Sequence, residues 1–408
     1  MQFQSITGQK ETKEQLVQMV QHNRLSHALL FLGKEGSGAL QLALAFAQYV
    51  VCEKVNGKNT AAIEAPSLFG EPGTSTPNNE QRATGNDSCG VCPACKKANE
   101  LIHPDIHFSY PVITKKAGEK PISTDFIKEW REFISSDPYG NVYDWLQFIG
   151  AENKQGNITA SECADIIHKL NLKSFESEYK ILIMWMPEFL GKEGNKLLKL
   201  IEEPPPNTLF ILVAENEDLI LPTILSRTQL VKVPMLSNLE VEAALELNEG
   251  VKIEKAQQVA AVAEGNYREA LQLLQHADDD WEAMLREWLN AIIKTGPFAQ
   301  VKWIDETAKM GREKQKQFLK YFIHLLEEAV RLRFMGTTNH KPQTTNNETD
   351  FAHRLNKICD LSQQEAIITE LDKASYYIER NANAKMLFHA LSIRLYHIIN
   401  NKSLILVN

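Results

Sequence analysis

Apolar and polar positions change places in short blocks along the first half of the chain. Helical spacing around Glu11–His22 gives way to an apolar segment, His27–Leu32, which ends in a glycine-rich turn, Gly33–Gly38. An apolar helix is predicted over about Ala39–Val51. Tyr179–Met186 and Thr208–Ala214 are further apolar runs of strand length. Between them, Gly191–Glu203 carries Leu197, Leu198, Leu200 and Ile201 at helical spacing. Pro204, Pro205 and Pro206 must stop that helix, because proline lacks the donor and clashes with a continuing turn. Strands separated by helices predict an α/β domain, a parallel sheet with helices on both faces. After about Pro234 the strand pattern stops. Leu239–Leu274 reads as short helices, and the chain from Trp281 onward as long amphipathic ones. Phe318, Leu319, Phe322, Leu325, Leu326, Ala329 and Val330 form one broad apolar stripe there.

Three stretches break the pattern. Asn56–Ser88 is rich in Gly, Pro, Thr and Asn and is predicted to be a mobile loop. Gly336–Asp350 is a polar break within the helical half. Thr114–Asn157 is different, since Phe126, Trp130, Phe133, Tyr139, Trp145 and Phe148 predict a packed insertion. Composition then sets bounds. At roughly 100–200 residues per domain, 408 residues predict two to four domains. No apolar run approaches the ~18–20 residues that span a bilayer. Met1–Lys13 is polar and lacks a signal-peptide core, which predicts a cytoplasmic protein with no membrane contact. With 44 Lys+Arg against 52 Asp+Glu, the formal charge of −8 argues against a chain that coats nucleic acid. It leaves room for a local basic face.

The chemistry sits at five places. Gly33-Lys34-Glu35-Gly36-Ser37-Gly38 lies between a strand and a helix, where a phosphate-binding loop would sit. Such a loop needs Lys and a hydroxyl residue after its last glycine, to neutralise phosphate and hold Mg²⁺. Ala39 and Leu40 occupy those positions, so Gly33, Gly36, Ser37 and Gly38 keep a frame without its charge. The strand ending at Met184 should deliver adjacent acids, but Trp185 and Met186 follow, with Glu188 two places on. Both losses predict no nucleotide hydrolysis. Cys89, Cys92 and Cys95 have the spacing of thiolate ligands for a closed Zn²⁺ site, with Cys52 as fourth ligand and His103 and His107 in reserve. Cys163 and Cys359 read as buried small apolar residues. Arg227, taken alone, is a solvated loop arginine, or else a guanidinium reaching a neighbour's phosphate. Arg268, near a helix start, reads as a surface ion pair or a phosphate contact.

Several ordered motifs carry a family resemblance. Arg24-Leu25-Ser26-His27-Ala28 precedes the glycine-rich turn, and His103-Pro104-Asp105 follows the cysteines. Asn195-Lys196-Leu197-Leu198-Lys199-Leu200-Ile201-Glu202-Glu203-Pro204-Pro205 comes next, and then Leu221-Pro222-Thr223-Ile224-Leu225-Ser226-Arg227. In order and spacing these resemble the clamp-loader branch of the AAA+ proteins, most closely its bacterial delta-prime family, over about residues 1–235. Asn381-Ala382-Asn383-Ala384-Lys385 is the best echo beyond. The position after Ser226-Arg227, usually Cys in that family, is Thr228 here.

The resemblance implies an AAA+ fold: a RecA-like parallel sheet with flanking helices over 1–233, a small helical lid over 234–279 and an all-α collar over 280–408. It implies a non-hydrolysing stator of the bacterial clamp loader, a DNA polymerase III subunit with neither ATPase nor polymerase activity of its own. Partners would be the gamma/tau ATPase subunits and the clamp-opening delta subunit, with the sliding clamp and primer-template DNA reached through the complex. Arg227 becomes a trans arginine finger for the neighbouring subunit. Rival readings are an ATP-hydrolysing gamma/tau-type subunit and a stand-alone zinc-containing DNA-binding protein.

Overall fold

The three apolar runs of the first half become the interior of a parallel sheet. β1 (Ala28–Leu32), β2 (Ile106–Ser109), β3 (Lys180–Trp185), β4 (Thr208–Ala214) and β5 (Gln229–Lys232) lie in the order β2-β3-β4-β1-β5. Every pair is parallel, with Ala28 opposite Phe210 and Ile183 opposite Ile211. Side chains on a strand alternate between faces. Leu29, Phe31, Ile181, Ile183, Leu209 and Ile211 therefore enter one apolar cluster. Ala28, Leu30, Leu182, Met184, Phe210 and Leu212 enter another on the opposite face. Both faces being covered is why these strands read as unbroken apolar runs.

The structure is a computed structural model that describes residues 1–56, 85–114, 118, 120–151, 156–275, 281–335, 346–379 and 382–400. Most of the loop expected over Asn56–Ser88 and much of the break expected over Gly336–Asp350 lie outside those residues. The helices in chain order are α1 (Lys10–Gln21), α2 (Ala39–Val51), α3 (Pro93–Asn99), α4 (Ile127–Ser136), α5 (Val142–Phe148), α6 (Ala160–Asn171), α7 (Leu198–Glu202) and α8 (Pro222–Leu225). There follow α9 (Asn238–Glu249), α10 (Ile253–Ala263), α11 (Tyr267–Gln275), α12 (Trp281–Asn290), α13 (Pro297–Thr307), α14 (Arg312–Met335), α15 (Asn346–Ile358), α16 (Leu361–Glu379) and α17 (Ala384–Ile399). With this sheet order and its flanking helices, the first half is an α/β fold built on a five-stranded parallel sheet, and the described residues of the second half are all-α.

The chain divides into two compact units, Met1–Ala244 with Gly265–Glu269, and Leu245–Glu264 with the chain from Ala270 onward. The second unit is built on the stripe of α14, where Phe318, Leu319, Phe322, Leu325, Leu326 and Ala329 are all buried. They pack with Trp288, Trp303 and Phe388, and the Trp288 indole donates to Ser392 Oγ at 2.9 Å.

Two details of the first unit depart from expectation. β2 and β5 carry no apolar run that marks them as strands. The helix expected over Gly191–Glu203 is a 3₁₀ stretch, Pro187–Leu197, followed by the short α7. Gly191 (φ 50°, ψ −138°) is non-helical within that stretch.

The aromatic insertion is packed, as its composition predicts. An antiparallel bridge between Val112 and Asn157 closes its base, with N···O distances of 3.0 Å both ways. Inside, Tyr110 stacks on Trp130 at 4.1 Å, and Trp145 meets Trp130 edge-on at 5.3 Å. The Trp145 indole donates to the Pro111 carbonyl at 2.7 Å. Phe126, Trp130, Phe133 and Trp145 are buried, whereas Phe148 is partly exposed.

Candidate functional site

Ligands of open parallel sheets sit at the carboxyl ends of the strands. Here that edge holds the glycine-rich turn after β1, Trp185 and Met186 at the end of β3, and Ala214 and Glu215 at the end of β4. Gly38 (φ 84°) sets the entry to α2. Any side chain at Gly36 (φ 74°) would be strained, since a Cβ there would lie 1.9 Å from Asn266 Oδ1 and 2.9 Å from Tyr267 N. The turn between β1 and α2 is thus built on two positive-φ glycines.

The two positions after its last glycine carry no charge. Ala39 and Leu40 are buried, and Lys34 is exposed. Trp185, where an acid would stand, packs against Trp130 of the insertion at 5.3 Å. Glu188 serves the backbone instead, its Oε1 accepting the N–H groups of Glu215 (2.7 Å) and Asn216 (2.9 Å). Burial pushes its carboxyl above the ordinary range. Tyr139, Gly140 and Asn141 of the insertion line the cleft opposite the glycines. The space left is about 30 Å³, room for about one water.

Arg268 is not a surface ion pair. Its side chain is 4% exposed. Nε and Nη2 donate to the two oxygens of Asp144 at 2.7 and 2.8 Å, and Nη1 donates to Glu35 at 2.8 Å. Asn141 ties the acids together, since its side-chain amide donates to Glu35 at 3.0 Å and its carbonyl caps Asp144 N at 2.9 Å. Asp137 lies beside them. Burial, reinforced by the charge of Asp144, pushes its carboxyl up against the opposing pull of Arg268.

Arg227 is partly exposed on the rim of an open hollow of about 430 Å³ that it shares with His27, Glu202 and Ser226. Its Nε donates to Glu202 at 2.6 Å, and Nη1 donates to the Thr223 carbonyl at 2.7 Å and to Ser226 Oγ at 3.1 Å. Glu202 belongs to the helix that ends at the proline triplet, so two motifs distant in sequence meet at one guanidinium.

The structure brings Cys52, Cys89, Cys92 and Cys95 together, with all four sulfurs within 4.8 Å of one another. Cys52 follows α2, and Cys92 caps α3, its sulfur accepting Cys95 N at 3.4 Å. Cys89 N donates to Cys52 Sγ and Cys92 N to Cys89 Sγ, each at 3.4 Å. N–H groups aimed at sulfur favour thiolates. Tetrahedral zinc with bonds of about 2.3 Å needs sulfurs about 3.8 Å apart, and Cys89 and Cys95 are separated by 3.8 Å. The donor set and spacing thus fit one soft tetrahedral ion. The hydrogen bond from Cys95 holds the Cys52 thiol low, while the same bond and burial push Cys95 up. His103 and His107 are outside this group. His103 Nδ1 instead accepts Asp105 N at 3.2 Å, and His107 lies on β2 opposite Leu182. Cys163 and Cys359 are buried.

With this geometry in hand, comparison with known families adds the decisive match. The DNA polymerase III, delta subunit family matches residues 8–65 and 75–237, more than half of the chain. The chain belongs to that family. Among curated relatives, the DNA polymerase III subunit delta' of Bacillus subtilis (strain 168) is 25% identical over 216 residues, covering 52% of this chain and 44% of that protein. The subunit tau of the same organism is 23% identical over 320 residues, 76% of this chain and 44% of that protein. The chain therefore matches less than half the length of either relative. A solved gamma subunit-related protein of Thermotoga maritima aligns with 95% of this chain and 99% of its own, at 12% identity and a TM-score of 0.33. Within this family member, the residues that sequence reasoning missed are Asp144, Asn141 and Glu202. Only Asn141 and Asp144 had a local signal, the Asn-x-x-Asp spacing of a helix cap.

Proposed function

We propose that this chain is the non-hydrolysing stator of a bacterial clamp loader, acting with ATPase and clamp-opening subunits that place a sliding clamp on primed DNA. The observation that carries this reading is the cleft over the glycine-rich turn. It has Ala39 and Leu40 where a phosphate loop has lysine and a hydroxyl residue, and Trp185 and Met186 where adjacent acids would follow β3, and it retains about 30 Å³ of space. An ATP-hydrolysing reading requires those groups at positions 39, 40 and 185, where Ala39, Leu40 and Trp185 stand.

In this reading the chain's contribution to catalysis is Arg227, offered in trans. A guanidinium stabilises charge on a transferring phosphoryl group without needing its own nucleotide. Glu202 and the Thr223 carbonyl would hold it in place until a neighbour's phosphate competes. Zn²⁺ on Cys52, Cys89, Cys92 and Cys95 would serve structure, tying the end of α2 to α3. The division into an α/β domain over 1–233, a lid over 234–279 and a collar over 280–408 belongs to the same proposal. DNA contact is assigned to the assembly, in keeping with the net charge of −8.

The test is reconstitution with the partner ATPase and clamp-opening subunits. Arg227→Ala should leave assembly intact and remove the turnover of the single site it serves, since an arginine finger contributes on the order of 10³-fold or more. An ATPase rate equal to that of the wild-type complex would sink the trans role. Failure to co-purify with those subunits would sink the stator reading itself.

A further inference from the structure

The half-buried carboxylates that hold the buried Arg268 at the glycine-rich turn have no role in the reading above, and their geometry asks for one. A guanidinium accepts phosphate and carboxylate in the same fork, through parallel N–H groups. Arg268 is in that fork with Asp144 and has a third contact to Glu35. Glu35 lies inside the glycine-rich turn itself, and Asp144 lies on the insertion. We propose that the insertion is a self-supplied substitute for nucleotide: Asp144, with Glu35, holds Arg268 as phosphate oxygens would, and residues 139–141 fill the space around them.

Four observations converge on this. The acid is aimed by its own helix cap, because Asn141 N donates to Asp144 Oδ2 at 3.0 Å while Asn141 Oδ1 accepts Asp144 N. Tyr139 covers the turn, its ring edge-on to Tyr267 at 4.8 Å and 3.5 Å from where a Cβ of Gly38 would be. Tyr267 N donates to the Gly36 carbonyl at 3.2 Å, so the start of α11 is fastened to the turn by backbone as well. Finally, the residue that displaced the expected acid, Trp185, is a packing partner of the insertion. The loss of nucleotide chemistry and the gain of the plug meet at one side chain. This inference rests on the reading of the cleft as nucleotide-free.

Amide hydrogen exchange on the full chain tests it. In the wild type, Tyr267, Arg268 and Glu269 should exchange slowly without nucleotide, and millimolar Mg-ATP should change nothing. Asp144→Asn, which keeps shape and removes charge, should speed exchange there by roughly tenfold or more. Repeated in an Arg268→Met background, the same substitution should add nothing; an equal effect in both backgrounds overturns the proposal. A phosphate substitute must also be replaceable by phosphate. Millimolar inorganic tripolyphosphate should slow exchange again in Asp144→Ala and leave the wild type unchanged. Without that rescue, the pair is a structural anchor and the proposal falls. Wild-type protection that appears only with ATP would overturn the nucleotide-free reading instead, and so separates the two failures.

Discussion

The first unit contains two motif sites that began with equal claims and ended differently. At the cysteine cluster every donor is present, and four sulfurs from sequence positions as far apart as 52 and 95 converge within 4.8 Å. At the glycine-rich turn the positive-φ glycines are present, but Ala39 and Leu40 follow them, and Tyr139 and Asn141 of the same chain line the cleft. The difference follows from what each space would cost when empty. Protein interiors are close-packed, and a polar hollow without partners is unfavourable. Sulfurs spaced for an ion have a use for their gap. A cleft whose residues after the last glycine are Ala39 and Leu40 has no such use, and here Tyr139 and Asn141 line it, with Glu35 paired to Arg268.

The most forceful way to break the contrast between the two sites is to remove one sulfur. Cys95 is fully buried and its sulfur lies 3.8 Å from that of Cys89. Cys95→Ser should lose the metal, and with it several kcal/mol, lowering the melting temperature by on the order of 10 °C. Elemental analysis should find one zinc per wild-type chain and none in the variant. Zinc retained at full stoichiometry by Cys95→Ser would mean that a ligand outside the four sulfurs completes the site.

How much of this was legible in the sequence depends on burial. β1, β3 and β4 are the interior strands, covered on both faces, and announce themselves as apolar runs. β2 and β5 are the two edges of the sheet and span four residues each. In β5 only Val231 is buried, so Gln229, Leu230 and Lys232 give no strand signal, and pairing with β1 alone defines it. The cysteine spacing was legible because ligand identity is local. The partner of Arg268 was not, since Asp144 is 124 residues away and nothing in either segment names the other. The same holds for Glu202 and Arg227, whose motifs were readable singly and whose contact was not.

A smaller effect probes the surplus of acid at the filled cleft. Asp137 lies near the pair of Asp144 and Arg268, and burial together with the charge of Asp144 raises its carboxyl. A folded-state value above the unfolded one means that ionised Asp137 opposes folding at neutral pH. That cost is present above the folded value, fades as pH falls through it, and is gone below the unfolded value of about 3.9. Asp137→Asn should therefore be more stable than wild type at pH 7, by less than about 1 kcal/mol after solvent screening. Melting curves between neutral pH and about pH 4 should show the gap closing. A gap that widens on acidification would reverse the sign and remove the surplus-acid account.

The sharpest test of the contrast has an expected effect of nothing at all. If the turn is silent only because two residues changed, then Ala39→Lys with Leu40→Thr restores a complete phosphate-loop sequence and should restore binding. If it is silent because the cleft is occupied, the double substitution should leave Mg-ATP unbound at millimolar concentration by calorimetry. The structure favours the second outcome. Both positions are buried, Trp185 and Tyr139 stand where a nucleotide needs room, and about 30 Å³ is far short of a ligand pocket of several hundred Å³. The lysine would also enter a site where Arg268 already satisfies Asp144 and Glu35. Measurable affinity in the double variant would mean that the insertion yields readily and that the two motif residues alone silenced the site. Continued silence would place the cause in Trp185 and residues 139–144, about a hundred positions or more from the motif.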